Sequence, residues 1–402
     1  MTIQFTPDNR ARSARTSAEV VLPTVDGGTV RHLMHEPVDY PRHPAPFTSR
    51  TVLAAAHVVA DVHADYVPGQ TPAVDWEATI AFRRHLFSYG IGIAEGMDTS
   101  ERGPGGLDWP QAQELIRLGA AAAHEAGAAL VSGAGTDQIT SASPSLSEIV
   151  DAYTEQLEFV QGQDSAAVIR ASHALAGAAR SEDDYLSVYR DVLARTDRPA
   201  IVHWLGTGFD PTLAGYWGHD DPRAAMDVVV QMAEENAERI DGIKFSLLDH
   251  ELEEEFRRRL PAGVKVFTGD DYGYTNLLRG DGEHHSHGLL GVLDPIAPIA
   301  STAFDSLDAG DEDTFAEVMN RSIPMAVKMF EAPADRYKVG CVFVAWLAGH
   351  QDHFRMVSGR EGLRSLRHLS ELFVLTDQLG LLPDPDLAAH RMRLLLARDG
   401  IG

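Results

Sequence analysis

The sequence is short of lysine and cysteine. Only four of its 34 basic residues are lysines, and Cys341 is the single cysteine among 402 residues. One cysteine excludes a disulfide within the chain and fits a reducing compartment. The first residues lack the apolar core of a secretory signal, and no apolar run approaches the ~18 residues of a membrane span. We therefore expect a cytoplasmic protein.

Positive charge as a whole is scarce. The chain has 59 acidic against 34 basic residues and a formal net charge of −25. Nucleic acids and anionic membranes require clustered positive charge in a partner. Neither is expected to bind here, whereas a small-molecule substrate is compatible with this composition.

Short apolar runs alternate with helical patterns from residue 51 onward. Strands that are apolar on both faces form parallel sheets covered by helices, and eight repeats over about 250 residues match a closed (β/α)8 TIM barrel. An open doubly wound sheet is disfavoured because no glycine-rich phosphate turn follows the first strand. The eight strand candidates are 51–59, 90–96, 128–132, 166–171, 200–205, 240–247, 264–268 and 289–293.

Three segments follow from this pattern. Residues 1–50 hold a polar tail, a hairpin around an Asp-Gly-Gly turn and a proline-rich connector. Residues 51–300 are predicted to form the catalytic barrel, and residues 301–402 a helical extension packed on it. The predicted fold class is thus an α/β (β/α)8 barrel with an N-terminal hairpin extension and a C-terminal helical extension.

In such a barrel the active site lies at the C-terminal ends of the strands. Lys244 lies in the sixth strand, within an apolar run. A lysine removed from water readily gives up its proton, and a neutral amine attacks carbonyl groups to form an imine. The other three lysines are expected at structural or surface positions. Further strand-end candidates are Asp98, Thr99, Ser100, His173, His203, Asp270 and Asp294.

Several motifs occur in the order found in a known family. Asp241–Lys244 is followed one helix later by Val264–Asp271, and Gly133–Thr136 follows the third strand. This order resembles the dihydrodipicolinate synthase/N-acetylneuraminate lyase superfamily, and the chain looks like a divergent, functionally unassigned branch of it. The resemblance implies that Lys244 is the Schiff-base lysine and that the backbone of Gly269 lies against the substrate.

The chain departs from that family at other positions. The family's strand-two signature falls on Gly96–Glu101 in degraded form, with Asp98 where a substrate carboxylate would bind. On the fifth strand His203 stands where the family has a catalytic tyrosine. The arginine that holds the substrate carboxylate is missing from Leu205–Phe209. His203 is therefore the expected proton relay, and a keto-sugar or sugar-derived compound is the expected substrate rather than pyruvate.

The expected function is that of a lyase of the class I aldolase type, which cleaves a carbon–carbon or carbon–oxygen bond in carbohydrate metabolism. No cofactor is expected besides the covalent imine on Lys244. Because relatives are commonly dimers or tetramers, the resemblance implies a homodimer or homotetramer.

Two other hypotheses stay open. Glu95, His173, His203 and Asp270 come from different strand ends and offer ligand types suited to Zn²⁺ or Mn²⁺. A metal-dependent lyase, isomerase or hydrolase is therefore the second hypothesis. A non-catalytic binding protein on the same fold is the third.

Overall fold

The computed structural model describes residues 15–24, 26–97, 101–103 and 105–401, which include a closed barrel of eight parallel strands. An antiparallel hairpin of β1 (Arg15–Pro23) and β2 (Thr29–His35) precedes it. The barrel strands are β3 (Val52–Ala54), β4 (Gly92–Glu95), β5 (Leu130–Ala134), β6 (Ala166–Ile169), β7 (Ala200–Leu205), β8 (Ile240–Ser246), β9 (Lys265–Thr268) and β10 (His287–Leu290). Each strand pairs with the next, and β10 closes on β3. The predicted TIM barrel with an N-terminal hairpin is confirmed.

Helices cover the barrel and build the C-terminal extension. Between the strands lie α1 (Trp76–Phe87), α2 (Trp109–Ala126), α3 (Leu146–Gly162), α4 (His173–Ala178), α5 (Glu182–Leu193), α6 (Pro222–Glu235), α7 (His250–Arg259) and α8 (Tyr274–Arg279). After β10 come α9 (Leu293–Asp308), α10 (Glu312–Asn320), α11 (Ile323–Met329), α12 (Tyr337–Leu347), α13 (Leu366–Gln378) and α14 (Pro385–Arg398). Among the described residues, no helix combines the length and apolar character that a membrane span needs.

Local signals set the ends of the barrel helices. Ser145 accepts a hydrogen bond from the Glu148 amide, and the Glu148 carboxylate accepts one from the Ser145 amide, so α3 begins with a capping box. Gly127 ends α2 in the left-handed conformation with φ of 63°. These end points determine how much chain is left for the loops that lead into and out of β5.

The predicted boundary at residue 300 falls inside α9, the helix that follows the eighth barrel strand, and the division into segments stays a prediction. Farther on, a single helix would be expected over the polar-apolar pattern of 312–330, but α10 and α11 divide it. Pro324 lies in the first turn of α11, where its ring and missing amide hydrogen are tolerated, whereas a helix interior would exclude it.

Side chains on the barrel strands alternate between the barrel interior and the surrounding helices. Val202 on β7 and Phe245 on β8 pack with the helices. The interior cluster consists of Leu53, Ala94, Met97, Val168, Ile201, Phe267 and Leu289. This alternation decides which residues near the strand ends face the interior.

The N-terminal hairpin packs on the extension, where β1 and β2 contact α13 and α14. Arg393 of α14 donates a hydrogen bond to the Glu19 carbonyl at 2.7 Å. The Val38 amide donates to the Gly380 carbonyl at 3.1 Å. The first and last described segments of the chain are therefore held together.

A buried carboxyl group behind β9 makes stability depend on pH. Glu253 of α7 accepts hydrogen bonds from the hydroxyls of Thr268 and Ser286 at 2.9 and 2.8 Å. Burial raises the pKa of Glu253 from 4.5 to about 8. Since the folded state binds the proton more tightly, the stability that Glu253 contributes is complete below about pH 4 and is lost as pH rises through about 8.

We expect Glu253→Gln to unfold at higher urea concentration than the wild type at about pH 9, because the wild type must there keep a charged carboxylate buried. The difference should shrink toward about pH 5, where Glu253 is protonated. Urea unfolding followed by circular dichroism measures the difference between variant and wild type at both pH values. An equal difference at the two pH values would contradict the raised pKa of Glu253.

Candidate active site at the C-terminal end of the barrel

Lys244 faces the barrel interior near the C-terminal end of β8. Its neighbours Ile243 and Phe245 pack with the helices, so the alternation turns Lys244 inward. It pairs with His203 on β7 and with Phe267 on β9, a member of the interior cluster. Lys244 is 5% exposed. The structure therefore places the predicted lysine and the predicted relay side by side on adjacent strands.

His203 is buried against a hydroxyl group. Its Nε2 lies 3.1 Å from Oγ of Ser246, which follows Lys244 by two residues and has the same inward orientation. An imidazole and a hydroxyl can each donate and accept a proton. An amine, an imidazole and a hydroxyl therefore face the barrel interior at neighbouring positions of β7 and β8.

Gly269 brings the end of β9 against β8. Its amide donates to the Phe245 carbonyl at 2.7 Å, and an added Cβ would overlap Oγ of Ser246. Any side chain at this position would displace the hydroxyl that contacts His203. The close approach of the two strand ends therefore requires glycine.

Asp270 shapes the loop that follows β9. Its Oδ1 accepts hydrogen bonds from the amides of Tyr272 and Gly273 at 2.8 and 3.1 Å. The side chain is buried at the barrel end. At least one carboxylate oxygen of this predicted substrate ligand is thus used to fix the turn into α8.

Asp271 lies within electrostatic reach of two lysines. Its Oδ1 accepts a hydrogen bond from the Val292 amide at 2.8 Å. Burial raises the pKa of Asp271 to about 7, although that amide and the charges of Lys244 and Lys338 act in the opposite direction. A carboxyl group that titrates near neutrality beside an amine is suited to acid–base catalysis.

Asp294 lies in the first turn of α9. Its Oδ2 accepts from the His57 amide and lies 2.8 Å from His57 Nδ1, with both side chains fully enclosed. His57 Nε2 in turn lies 3.0 Å from Oε1 of Gln351 in the extension. Although burial would raise it, the interaction with His57 holds the pKa of Asp294 below its usual value. Asp294 therefore holds His57 in place, and direct contact of Asp294 with the substrate stays a prediction.

A second lysine comes from the extension. Lys338 of α12 is 4% exposed, and its ammonium donates to the carbonyl of Ala55, just after β3, at 2.9 Å. Within the described ranges no carboxylate oxygen lies within 4.0 Å of that ammonium. The expected surface position of Lys338 is wrong. The signal was a single cation in a helix whose other residues are almost all apolar.

An arginine was also missed by sequence reasoning. Arg170 follows β6 and shares the inward orientation of Val168, which belongs to the interior cluster. It lies 3.4 Å from Asp137, which accepts a further hydrogen bond from Arg102 at 2.9 Å. Although burial would raise it, the two guanidinium groups hold the pKa of Asp137 below its usual value. The two-residue spacing from Val168 was the signal that could have found Arg170.

The residues considered as metal ligands do not gather. Glu95 faces the helices, where it forms two hydrogen bonds of 2.9 Å with Arg83, and both side chains are fully enclosed. The His173 side chain is 62% exposed and lies 2.6 Å from Asp210. Within the part of the chain that the structure describes, no cluster of three ligand atoms contains any of the four candidates.

Asp98, Thr99 and Ser100 lie outside the described residues. Glu101, the next described residue, contacts the hydroxyl of Ser358 in the extension through its carboxylate. Burial raises the pKa of Glu101. The extension thus reaches the loop after β4 as well as the end of β3.

A groove of about 1350 Å³ opens over the ends of β5 and β6. Arg170 lines its wall. Hydroxyl groups are frequent in its lining and come from Thr136, Thr140, Ser141, Ser143, Ser145, Ser172 and Thr212. The lining also contains the charged side chains of Asp108, Asp137, Arg170 and Arg180. The groove therefore suits a polar ligand.

The chain is a (β/α)8-barrel protein with the fold of the dihydrodipicolinate synthases. It belongs to the family described as "Protein of unknown function (DUF993)", whose model matches residues 20–401. No functionally curated protein shows significant sequence similarity to it.

Several solved structures have a fold similar to that of this chain. Dihydrodipicolinate synthase from Thermotoga maritima is similar with a TM-score of 0.60 and 13% identity, over 83% of this chain and 100% of that one. Dihydrodipicolinate synthase from Oceanobacillus iheyensis is similar with a TM-score of 0.56 and 14% identity, over 80% of this chain and 95% of that one. CdNal from Clostridium difficile, solved in complex with mannosamine, is similar with a TM-score of 0.56 and 15% identity, over 80% of this chain and 96% of that one. The predicted resemblance is confirmed in the fold.

Proposed function

We propose that the protein is a Schiff-base-forming lyase of the class I aldolase type that acts on a small keto-sugar or sugar-derived carbonyl compound. The observation that carries the proposal is the inward-facing Lys244 beside His203 at the C-terminal end of the barrel. Similarity in fold to dihydrodipicolinate synthase and to CdNal supports the same class of reaction.

In the proposed reaction the neutral amine of Lys244 attacks the substrate carbonyl and forms a carbinolamine. Loss of water then gives an iminium ion, which withdraws electrons from the adjacent carbon. Removal of a proton from the hydroxyl group two carbons away cleaves the carbon–carbon bond and leaves an enamine and an aldehyde. Protonation of the enamine and addition of water release the second product and the free lysine.

Proton transfers in this sequence are assigned to groups beside Lys244. His203 exchanges protons with the substrate through or beside Ser246, which lies 3.1 Å from its Nε2. Asp271, with a pKa of about 7, is the second acid–base group. Such assistance contributes about a hundredfold to ten thousandfold to a rate.

Substrate contacts are assigned by position at the barrel end. The groove wall supplies hydroxyl groups for a polyol chain, and the backbone of Gly269 lies beside the reacting carbon. Binding roles for Asp98, Thr99 and Ser100 remain part of the proposal. His173 lines the groove and is assigned to the distal end of the substrate.

Asp270 and Asp294 are assigned positioning roles. Asp270 holds the turn after β9, through the amides of Tyr272 and Gly273. Asp294 holds His57. Both therefore act on the shape of the site and need not touch the substrate.

The function is tested by trapping the imine. The full chain is incubated with dihydroxyacetone, a tetrulose, a pentulose or pyruvate together with cyanoborohydride, and its intact mass is measured. Reduction of an imine adds the mass of the carbonyl compound less one oxygen atom. We expect faster labelling by the longer keto-sugars than by pyruvate. Preferential labelling by pyruvate would refute the substrate class, and no labelling by any compound would refute the reaction class.

Lys338→Met should shift the pH dependence of labelling upward. The Lys338 ammonium lowers the pKa of Asp271, so its removal raises that pKa and delays ionisation of Asp271 to higher pH. We also expect labelling at neutral pH to slow by about tenfold to a hundredfold. Initial labelling rates with a keto-sugar, measured across the pH range for both proteins, give the shift.

The matched control is Lys328→Met. Lys328 of α11 lies 2.9 Å from Glu331 and has 17% of its side chain exposed, and it is not among the main charges that shift the pKa of Asp271. Its pH profile should coincide with that of the wild type. If Lys338→Met also leaves the profile in place, Lys338 has no part in setting the acid–base group.

A further inference from the structure

Three metal-ligating side chains meet away from the barrel end, where the hairpin lies on the extension. His32 Nε2 and His35 Nδ1, both from β2, lie 2.7 and 2.6 Å from Oδ2 of Asp377 in α13. One ligand atom from each residue lies within 4.8 Å of the other two. In the described ranges this is the one such group of three.

The carboxylate at its centre is enclosed without a permanent cation. The Asp377 side chain is 2% exposed, and those of His32 and His35 are 13% and 17% exposed. Among the described residues the ion-pair partners of Asp377 are the two histidines, and no lysine or arginine nitrogen lies within 4.0 Å of its carboxylate. A buried carboxylate whose charge is not compensated is unfavourable by several kcal/mol in general. The cluster therefore has no lysine or arginine among the described residues to balance the carboxylate, and it offers three donor atoms.

The donor set matches the preferences of a particular ion. Two imidazole nitrogens and one carboxylate oxygen are typical ligands of Zn²⁺, which is bound at about 2.0–2.2 Å by such atoms and completes a tetrahedron with water. The partial exposure of both imidazoles leaves a side open for that water. The Asp377 Oδ1 already accepts the His35 amide at 3.1 Å, which orients the carboxylate.

We propose that His32, His35 and Asp377 form a zinc site that fastens the N-terminal hairpin to α13. The ion takes a lone pair from His32 Nε2, His35 Nδ1 and one oxygen of Asp377. Each neutral imidazole then carries its proton on the other ring nitrogen, so the change is one of tautomer and involves no redox step. The site joins segments about 340 residues apart in the chain and is independent of the chemistry at Lys244.

The test uses the full chain freed of metal with a chelator and titrated with ZnCl2 in a calorimeter near neutral pH. We expect one Zn²⁺ per chain, and a rise in the melting temperature when Zn²⁺ is added. His32→Gln and Asp377→Asn should each weaken binding by about a hundredfold or more, since each removes a ligand. They should also abolish the Zn²⁺-dependent rise in melting temperature.

The matched control removes His284, whose side chain is 40% exposed in the loop before β10. His284→Gln should bind Zn²⁺ like the wild type. Circular dichroism establishes that each variant is folded, and His32→Gln changes a half-buried side chain only, so it serves if Asp377→Asn does not fold. No Zn²⁺ uptake by the wild type, or equal uptake by His32→Gln and the wild type, would overturn the proposal. Loss of uptake in His284→Gln would place the ion elsewhere and overturn it too.

Discussion

Lys244→Met is expected to abolish imine trapping and to lower turnover of the proposed substrate by about ten thousandfold or more. Among the described residues Lys244 is the lysine that lies in the inward-facing row beside His203. Methionine has a similar length but no nucleophilic nitrogen. Methionine keeps much of the side-chain volume and removes a charge that is costly to bury, and circular dichroism establishes whether the variant is folded.

The control for this variant is Lys265→Met. Lys265 begins β9 at the opposite end of the barrel and lies 2.7 Å from Asp241, with 36% of its side chain exposed. Trapping by this variant should match that of the wild type. A folded Lys244→Met protein that is still labelled at the wild-type rate would exclude the proposed reaction.

Glu95→Gln is expected to cost about 3–5 kcal/mol of unfolding free energy. Glu95 forms two hydrogen bonds of 2.9 Å with the Arg83 guanidinium, and both side chains have no exposed area. Loss of the carboxylate charge leaves the guanidinium buried without its counterion, and an uncompensated buried charge is strongly destabilising. Urea unfolding followed by circular dichroism gives the change in free energy.

An exposed ion pair between α1 and α2 provides the comparison. Arg84 lies 3.1 Å from Glu125, with 57% and 71% of the two side chains exposed. Glu125→Gln should change the unfolding free energy by less than about 1 kcal/mol. Equal effects of Glu95→Gln and Glu125→Gln would contradict the structural role of Glu95.

A double substitution separates a structural Glu95 from a metal ligand. Arg83→Met combined with Glu95→Leu removes both charges, and replacement of a buried pair by apolar residues is often neutral or stabilising. The double variant should therefore regain stability relative to Glu95→Gln and keep imine trapping at Lys244. Trapping that disappears in a stable double variant would show that Glu95 takes part in the chemistry.

The barrel could be predicted because its strands are apolar on both faces. The run around Lys244 shows this best, since only a sheet covered on both sides buries Ile243 and Phe245 on one face and a reactive residue on the other. The strand order along the chain then brought Lys244 beside His203. Local pattern and barrel topology together were sufficient for this pair.

The part of the site built by the extension could not be predicted from local pattern. Lys338 reaches the carbonyl of Ala55 across 283 residues, and Gln351 reaches His57 across 294. Such contacts depend on how α12 and the loop after it pack over the barrel end, and no periodicity within α12 encodes that placement. The contact of Asp294 with His57, 237 residues away in the chain, was not predicted for the same reason.

Arg170 was missed for a different reason. The predicted strand 166–171 contained Arg170, but a run that is apolar on both faces does not show which face the arginine shares. Val168 in the interior cluster resolves the question, because a residue two places along has the same orientation. Arg170 therefore follows from the structure but only weakly from the pattern.

Peptide mapping of the reduced adduct tests most directly whether Lys244 forms the imine. The full chain is labelled with a tetrulose and cyanoborohydride, digested with a protease that does not require lysine, and fragmented in a mass spectrometer. Because the sequence has only four lysines, each can be assigned separately. We predict the added mass on Lys244 alone. Added mass on Lys338 with Lys244 unmodified, or no added mass on either, would contradict it.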